Sequence, residues 1–413
     1  MTDDDYAALR DAALAHLAAG DAAAAFTGFR RVLRAPATAP RLADALGVLA
    51  RIVVALGDRE LAARCAHASV AIDDVDGLYD LGYHLIEADQ PAVAVTVLAH
   101  AHALAPDAEP VLTELCAALE RDLRHREAWA LLAAQPALRA RSFLCRYLYA
   151  WNAAMSGALD ETRATAATLA PADPGEAVMA ARIAGVLARA DAVAGVAPLD
   201  ARDLRGWHHV ITGGLLLHRS PHGLDGPMHG RYAWLQDGPE LIAGGLGALA
   251  ELLAAWGWTP PCIYAPPGAL HAVVAAAALR LGAPVAPWPD VGAPAPGLVV
   301  LHRQDALDGA AVERLRERRA DQLVYAHAAA WTDDFPLAAD VTYLLHQSLA
   351  PAWPELDAAT AVREVAAAAL APGDDPPAER AAALALAVRV GRPGPGRRER
   401  WWAGGPVPSN RFV

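Results

Sequence analysis

The stretch from Leu78 to Pro106 constrains the fold of this chain more than any other. Counted from Val75, a unit of about 34 residues has small residues at Gly82 and Ala94, where two antiparallel helices would cross. Larger apolar residues fill the positions between them, and a proline ends the second helix. The packing positions are Leu78, Leu81, Gly82, Leu85, Ala94, Leu98, Ala101 and Pro106. An ordinary alanine-rich hairpin would match the small positions by chance, but Gly82 and Pro106 both fall in phase.

One such unit cannot bury its own apolar face, so neighbouring units are required. Looser versions of the pattern begin near Tyr6, Ala43 and Glu109, and Pro36 follows the first of them. Over roughly residues 1–170 the sequence resembles the tetratricopeptide-repeat (TPR) family. The resemblance implies a helical solenoid whose concave face binds a protein or peptide partner.

Composition limits the remaining possibilities. At 413 residues the chain is too long for one ordinary core, and 55% hydrophobic with 20% charged residues describes a folded protein. All 35 basic residues are arginine, a bias that a high-GC bacterial genome explains. Without lysine there is no Walker phosphate loop and no pyridoxal phosphate Schiff base. A formal net charge of −12 argues against general nucleic-acid binding.

No apolar run is long enough to suggest a membrane span. The acidic start, residues 1–5, lacks the basic-then-apolar order of a signal peptide, so we expect a cytoplasmic location. The four cysteines are scattered without a CxxC pair, which favours buried thiols over disulfides or a zinc site.

The pattern changes near Gly206, where short apolar runs begin to alternate with helices. This alternation predicts an α/β domain with a largely parallel sheet covered on both faces. Among the elements we expect are one or two strands at 208–217 broken by Gly213-Gly214, a polar loop at 220–237 and a helix at 310–319. The predicted divisions are a helical repeat domain over 1–200, an α/β domain over 206–350, closing helices over 351–391 and a tail over 392–413.

The order of elements over roughly residues 229–330 resembles the core of type I phosphoribosyltransferases. In that family a loop after the first core strand holds pyrophosphate, and the matching turn here is Pro266-Pro267-Gly268. The family's acidic pair and Thr-Thr-Gly turn correspond to Arg303-Gln304 and Leu307-Asp308-Gly309. The acidic pair and the threonines are therefore missing, and two prolines lack N–H donors. The resemblance implies this fold with a degenerate active site; the alternative is a generic Rossmann-like sheet.

A small-molecule site, if one exists, is expected beyond the carboxyl ends of the strands, with the segment 221–237 as a lid. The alternative is that this segment packs against the repeat domain and the strand ends stay open and shallow. The ligand-binding candidates are His222, Asp225, His229, Arg231, Pro267, Gly268, His302, Arg303 and Asp308.

Histidines are dense between residues 208 and 229, which raises the possibility of a metal site. Their spacing follows no known signature, and adjacent histidines on a strand would point to opposite faces. The weak candidates are His209, His218, His222 and His229.

No catalytic residue or cofactor can be assigned, because the chain has no nucleophile elbow and no dinucleotide fingerprint. The sequence predicts a protein-interaction scaffold whose α/β domain docks a partner or senses a ligand. One alternative is an enzyme that binds a nucleotide or sugar phosphate, and another is a metal-dependent activity at the histidine-rich loop. The tail element Trp401-Trp402 either packs on its own domain or docks on a partner.

Overall fold

The structure is a computed structural model that describes residues 2–35, 38–294, 296–352, 358–371 and 373–409. Pro36, expected to follow the first repeat unit, lies outside these ranges. The chain divides into two compact units, Met1–Ile183 and Ala184–Val413. Over the described ranges, no helix is both long and apolar enough to cross a membrane.

The first unit is built from helices in consecutive pairs joined by short turns. The pairs are α1 (Asp3–Ala18) with α2 (Ala22–Leu33), α3 (Ala39–Leu56) with α4 (Arg59–Val70), α5 (Val75–Glu87) with α6 (Pro91–Leu104), and α7 (Glu109–Arg121) with α8 (His125–Ala133). Next come α9 (Pro136–Arg141), α10 (Phe143–Met155), α11 (Leu159–Ala166) and α12 (Pro174–Ala192), which runs past the division between the units. The predicted helix pairs are confirmed.

Glycine and aspartate set the turn inside the second pair. Gly57 ends α3 in the left-handed conformation (φ 96°), which glycine adopts without strain. Asp58 then caps α4, because its side chain accepts a hydrogen bond from the N–H of Leu61 at 3.0 Å. A turn this short makes the two helices run antiparallel.

Gly82 lies where α5 crosses α6. A Cβ atom at this position would come within 2.4 Å of Leu98 Cγ, so only glycine lets the two helices approach this closely. The contact that the structure shows for Gly82 is with Leu98, and the sequence analysis had placed Gly82 and Ala94 at this crossing.

The second unit alternates strands and helices. It contains α13 (Leu204–Thr212), β1 (Leu215–Leu216), β2 (Tyr232–Gln236), α14 (Pro239–Ala255), β3 (Ile263–Tyr264), α15 (His271–Leu281), β4 (Val285–Ala286), β5 (Gly297–Arg303), α16 (Gly309–Leu315), β6 (Glu317–Arg318), β7 (Gln322–Ala330), β8 (Val341–Ala350), α17 (Ala358–Ala367), α18 (Pro377–Val390) and β9 (Gly396–Arg397).

Within the described residues the main sheet has seven strands in the order β1-β8-β7-β5-β3-β4, and β2 also pairs with β8. Every pairing in it is parallel, which confirms the predicted parallel sheet. Counted from β3, the five consecutive strands stand in the order 2-1-3-4-5, one of the common orders of doubly wound sheets. The two short strands β1 and β2 lie one after the other along the same edge of β8.

Helices cover both faces of this sheet. On one face, Val299 and Val324 share a buried cluster with Leu315 of α16. On the other, α14 lies so close that a Cβ at Gly245 would meet Tyr325 and other ring atoms of β7 and β8. Because side chains alternate along each strand, neighbouring residues contact the helices on opposite faces of the sheet.

Three local predictions were wrong. Residues 204–212 form helix α13, not a strand, because Asp203 caps it by accepting from the N–H of Gly206 and Gly213 ends it in the left-handed conformation. The part of the predicted strand region after Gly213-Gly214 does contain a strand, β1. The segment 220–237 is not all loop, since its last part is β2. The predicted helix over 310–319 stops at Leu315 and is followed by β6, which pairs with β9.

The tail packs on its own unit. Arg398 is buried and forms an ion pair with Asp340 at 2.8 Å, and Trp401 forms a backbone bridge with Phe335. The four final residues, 410–413, lie outside the described ranges.

Candidate functional site

The clearest polar centre of the α/β unit is formed by Asp237, His302 and His327. The Nε2 atom of His302 lies 2.7 Å from Asp237 Oδ2, and the Nε2 atom of His327 lies 3.2 Å from the same oxygen. Their side chains are 7% exposed for His302 and completely buried for the other two. Among the described residues, these three side chains form the group of possible ligands whose donor atoms lie close enough together to hold one metal ion.

The sheet brings these three side chains together from distant parts of the sequence. Asp237 follows β2 and continues its pairing, since its N–H donates to the carbonyl of Ala350. His302 lies near the end of β5, and the register of Arg303 with Ala328 sets His302 beside His327 of β7. Because parallel strands share one carboxyl edge, the three residues meet there.

Both imidazoles belong to a row of stacked rings that crosses the sheet. His302 and His327 have ring centroids 5.6 Å apart, His327 and Tyr343 5.4 Å, and Tyr343 and His218 4.9 Å. Tyr232 extends the row, and its hydroxyl lies 2.9 Å from His218 Nε2. Side chains in register on adjacent strands stack in this way because the strands are about 4.8 Å apart.

Glycines in α14 allow the helix to close over this ring ladder. A Cβ at Gly245 would lie 2.7 Å from the hydroxyl of Tyr325 and 3.0 Å from His327 Nδ1, and one at Gly244 would lie 2.9 Å from the hydroxyl of Tyr343. These three polar atoms are buried without a hydrogen-bond partner among the described residues. The helix thus fixes the orientation of His327 by direct packing.

The electrostatics of the centre favour an ionised carboxylate. Burial raises the pKa of Asp237, but the charges and hydrogen bonds of His327 and His302 outweigh it and hold the pKa below its usual range. Farther along the ladder, burial lowers the pKa of His218 to about 4, so this ring is neutral at pH 7.

The predicted candidates at the strand ends have identifiable structural roles. In the turn after β3, Pro267 is exposed and Gly268 (φ 82°) abuts the carbonyl oxygen of Ala306. Arg303 pairs with the neighbouring Asp305 through its guanidinium. Asp308 caps α16 by accepting from the N–H of Ala311 at 2.7 Å.

The candidates of the glycine-rich segment are spread over different environments. His222 and Asp225 are exposed, and His222 lies 3.8 Å from Asp374. His229 adopts a left-handed conformation (φ 50°). Arg231 is buried, donates to the carbonyl of Val407 at 3.0 Å and lies over the ring of Trp331. Burial lowers the pKa of Arg231 to about 10. A single pocket that joins these residues to the strand ends stays a prediction.

The four weak metal candidates are not part of the buried centre. His209 is on α13 and lies 3.3 Å from the carbonyl of Gly214 through Nδ1, while His218 belongs to the ring ladder. His222 and His229 are the segment residues described above. The members of the centre that the sequence did not assign to a site were Asp237 and His327. Asp237 directly follows strand β2 and His327 lies within strand β7. Only the order of the strands in the sheet shows that both residues face His302.

The first unit carries a separate candidate surface, an open groove of about 410 Å³ between the first helices of the first two pairs. Its lining residues are Arg10, Leu14, Ala43, Asp44, Gly47, Val48, Arg51 and Ser69. On α3 they recur at helical spacing, so they lie along one side of that helix, where Asp44 and Arg51 are exposed.

No family model and no curated protein matches the chain. Similar solved structures include TTC0263, a thermophilic TPR protein of Thermus thermophilus, at 22% identity and a TM-score of 0.27, over 43% of this chain and 98% of that one. MamA (AMB-1) is 21% identical with a TM-score of 0.24, over 41% of this chain and 100% of its own. A mutant form of MamA is 20% identical with a TM-score of 0.24, over 44% and 98%. TM-scores this low establish no shared fold, so the repeat assignment rests on the sequence signature and the helix pairs.

Proposed function

We propose that the protein is an interaction scaffold whose helical unit binds a segment of a partner protein in the groove between α1 and α3. The groove itself is the observation that carries this proposal. It is open, and it is lined by the first helix of two consecutive pairs, the arrangement that the repeat resemblance implies for a binding face. The α/β unit acts in this proposal as a docking or ligand-sensing module.

The lining of the groove indicates the kind of segment that fits. Ala43 and Gly47 leave space along α3, which suits a small apolar side chain. At one end, Asp44 is already engaged by Tyr6 at 2.6 Å and by Arg10 at 3.5 Å. At the other, Arg51 is exposed and forms no ion pair within the described residues. We therefore expect a peptide with a small apolar residue followed by a carboxylate that pairs with Arg51.

The test is selection of peptides from a random library on the full-length chain, followed by calorimetry on purified variants. Gly47→Leu places a bulky side chain in the groove and should weaken binding at least about tenfold, or about 1.4 kcal/mol. The matched control is Gly28→Leu, since Gly28 is an exposed helical glycine that lies on α2, outside the groove. Arg51→Gln should weaken the binding only of those peptides that contain a carboxylate.

Equal affinity of the selected peptides for the wild type and Gly47→Leu would refute the groove as the binding surface. Both variants must keep the wild-type circular dichroism spectrum, because a helical leucine is well tolerated where space is open.

For the α/β unit, we infer a phosphoribosyltransferase-like or Rossmann-like arrangement without transferase chemistry. Three observations support this. Pro266 and Pro267 have no N–H to offer a phosphate, Arg303 replaces an acidic residue and pairs with Asp305, and the Asp308 side chain is used as a helix cap.

A further inference from the structure

Among the described residues of the α/β unit, the buried carboxylates belong to Asp237 and Asp340. Asp340 pairs with Arg318 at 2.7 Å and with Arg398 at 2.8 Å. Glu379 likewise pairs with Arg205 and Arg219. A buried charge needs such a partner because it has lost its hydration.

Asp237 differs from these carboxylates, since no arginine in the described parts of the chain forms an ion pair with it. Its carboxylate is completely buried and faces two histidine Nε2 atoms and the N–H of Gly238, which lies 2.9 Å away. A chain whose basic residues are all arginine therefore uses imidazole at this buried carboxylate. Imidazole together with carboxylate is a preferred ligand set for zinc and for non-haem iron.

The donor atoms are spaced as ligands of one ion would be. Donors bound at about 2.0–2.1 Å lie roughly 2.9–3.4 Å apart for angles between a right angle and the tetrahedral angle. The observed separations from Asp237 Oδ2 are 2.7 Å to His302 Nε2 and 3.2 Å to His327 Nε2. All three donor atoms lie within 4.8 Å of one another. For the pair Asp237 and His302, an ion would need a separation that is larger by a few tenths of an ångström.

The rings are also held for this task by packing. His302 and His327 are nearly parallel in the stack, with 11° between their planes, and both Nε2 atoms face the same carboxylate. Gly245 brings α14 against the back of His327, where its Nδ1 atom has no hydrogen-bond partner among the described residues. Ligand rings fixed in this way resist the rotation that would break a metal site.

We propose that Asp237, His302 and His327 bind a divalent transition-metal ion, with zinc or iron(II) as the class. Three protein ligands leave at least one coordination position open, as in catalytic rather than structural sites. That position takes water or an oxygen donor of a small ligand, at the carboxyl edge where ligands of parallel sheets bind. This site is independent of the repeat groove, so either proposal can fail without the other.

The competing account is a buried hydrogen-bonded carboxylate with a protonated imidazole and no metal. The two accounts are separated by adding Co²⁺ to the full-length, tag-free protein after treatment with EDTA and dialysis. We expect one Co²⁺ per chain, with visible absorption bands of low coordination number, and displacement of Co²⁺ by stoichiometric Zn²⁺. Asp237→Asn and His302→Gln should each weaken binding by more than the roughly 10- to 100-fold that loss of an outer-shell partner costs.

The matched control is His222→Gln, which removes an exposed histidine of the same unit and should leave Co²⁺ binding unchanged. Each variant is checked by circular dichroism and melting temperature. If the ligand variants do not fold, the wild type alone decides, because a bound Co²⁺ should give paramagnetically shifted proton signals of two histidine rings. Substoichiometric Co²⁺ binding, absence of shifted histidine signals, or binding that survives both ligand substitutions in folded protein would overturn the proposal.

Discussion

At the scale of single residues, helix α13 buries two histidines in their neutral form. His208 and His209 are adjacent on α13 and both are buried. Burial lowers the pKa of His208 to about 3 and that of His209 to about 4, and neighbouring positive charges add to this effect. Ordinary imidazole titrates near pH 6.5. Protonation of either side chain is therefore coupled to unfolding.

This coupling predicts a loss of stability in weak acid. Between about pH 6.5 and pH 4, the unfolded chain binds protons at these two sites and the folded chain does not, so the free energy of unfolding falls as the pH falls. We expect the pair to contribute a loss of about 4 kcal/mol between pH 7 and pH 5. Urea denaturation across this range measures it.

Substitution of one histidine should reduce the number of protons taken up on unfolding by about one, and with it the slope of the free energy of unfolding against pH. His209→Gln keeps a polar group near the carbonyl of Gly214 and removes the titration, whereas His222→Gln changes an exposed side chain and should leave the slope unaltered. Equal slopes for the wild type and His209→Gln would show that His209 is not the coupled group.

At the scale of elements, the sequence predicted those whose boundaries carry local signals. The pair α5–α6 was predictable because a small residue, a leucine and a proline recur in phase, and physical contact between Gly82 and Leu98 explains the spacing. Helix α13 was missed because Val210 and Ile211 favour strands, although the cap at Asp203 and the left-handed Gly213 were available signals. Among the described residues, strand β2 pairs with β8 alone. Its alternation of apolar and polar side chains is too short to stand out in a glycine-rich segment.

The crossing of α5 and α6 gives a direct prediction for stability. Gly82→Ala forces a Cβ into Leu98, which is completely buried and has no room to move, so the free energy of unfolding should fall by about 1–3 kcal/mol. Gly28→Ala on α2 meets no atom within 4 Å and should instead raise it by about 0.5–1 kcal/mol through helix propensity. Chemical denaturation of the two variants followed by circular dichroism compares them. Stabilisation by both substitutions would contradict the close crossing.

At the scale of the whole molecule, the polar centre lay beyond sequence reasoning for a topological reason. Asp237, His302 and His327 belong to β2, β5 and β7 or their ends, and their convergence depends on the strand order and on two registers. A single sequence does not specify either. His302 and His327 each follow an apolar run and could be placed at strand ends, but which strands are neighbours could not be inferred. The groove was predicted only as the concave face of the solenoid, because its lining residues depend on how α1 and α3 pack against each other.

The central claim is that the helical unit carries the partner-binding surface. Hydrogen–deuterium exchange of the full-length chain, with and without a saturating selected peptide, tests it most directly. Binding in the groove should slow amide exchange in α1 and α3, at Asp3–Ala18 and Ala39–Leu56, because a bound segment excludes water and suppresses local opening. Exchange in β5 and β7 should stay unchanged. Protection confined to residues 184–413, with none in α1 or α3, would contradict the claim.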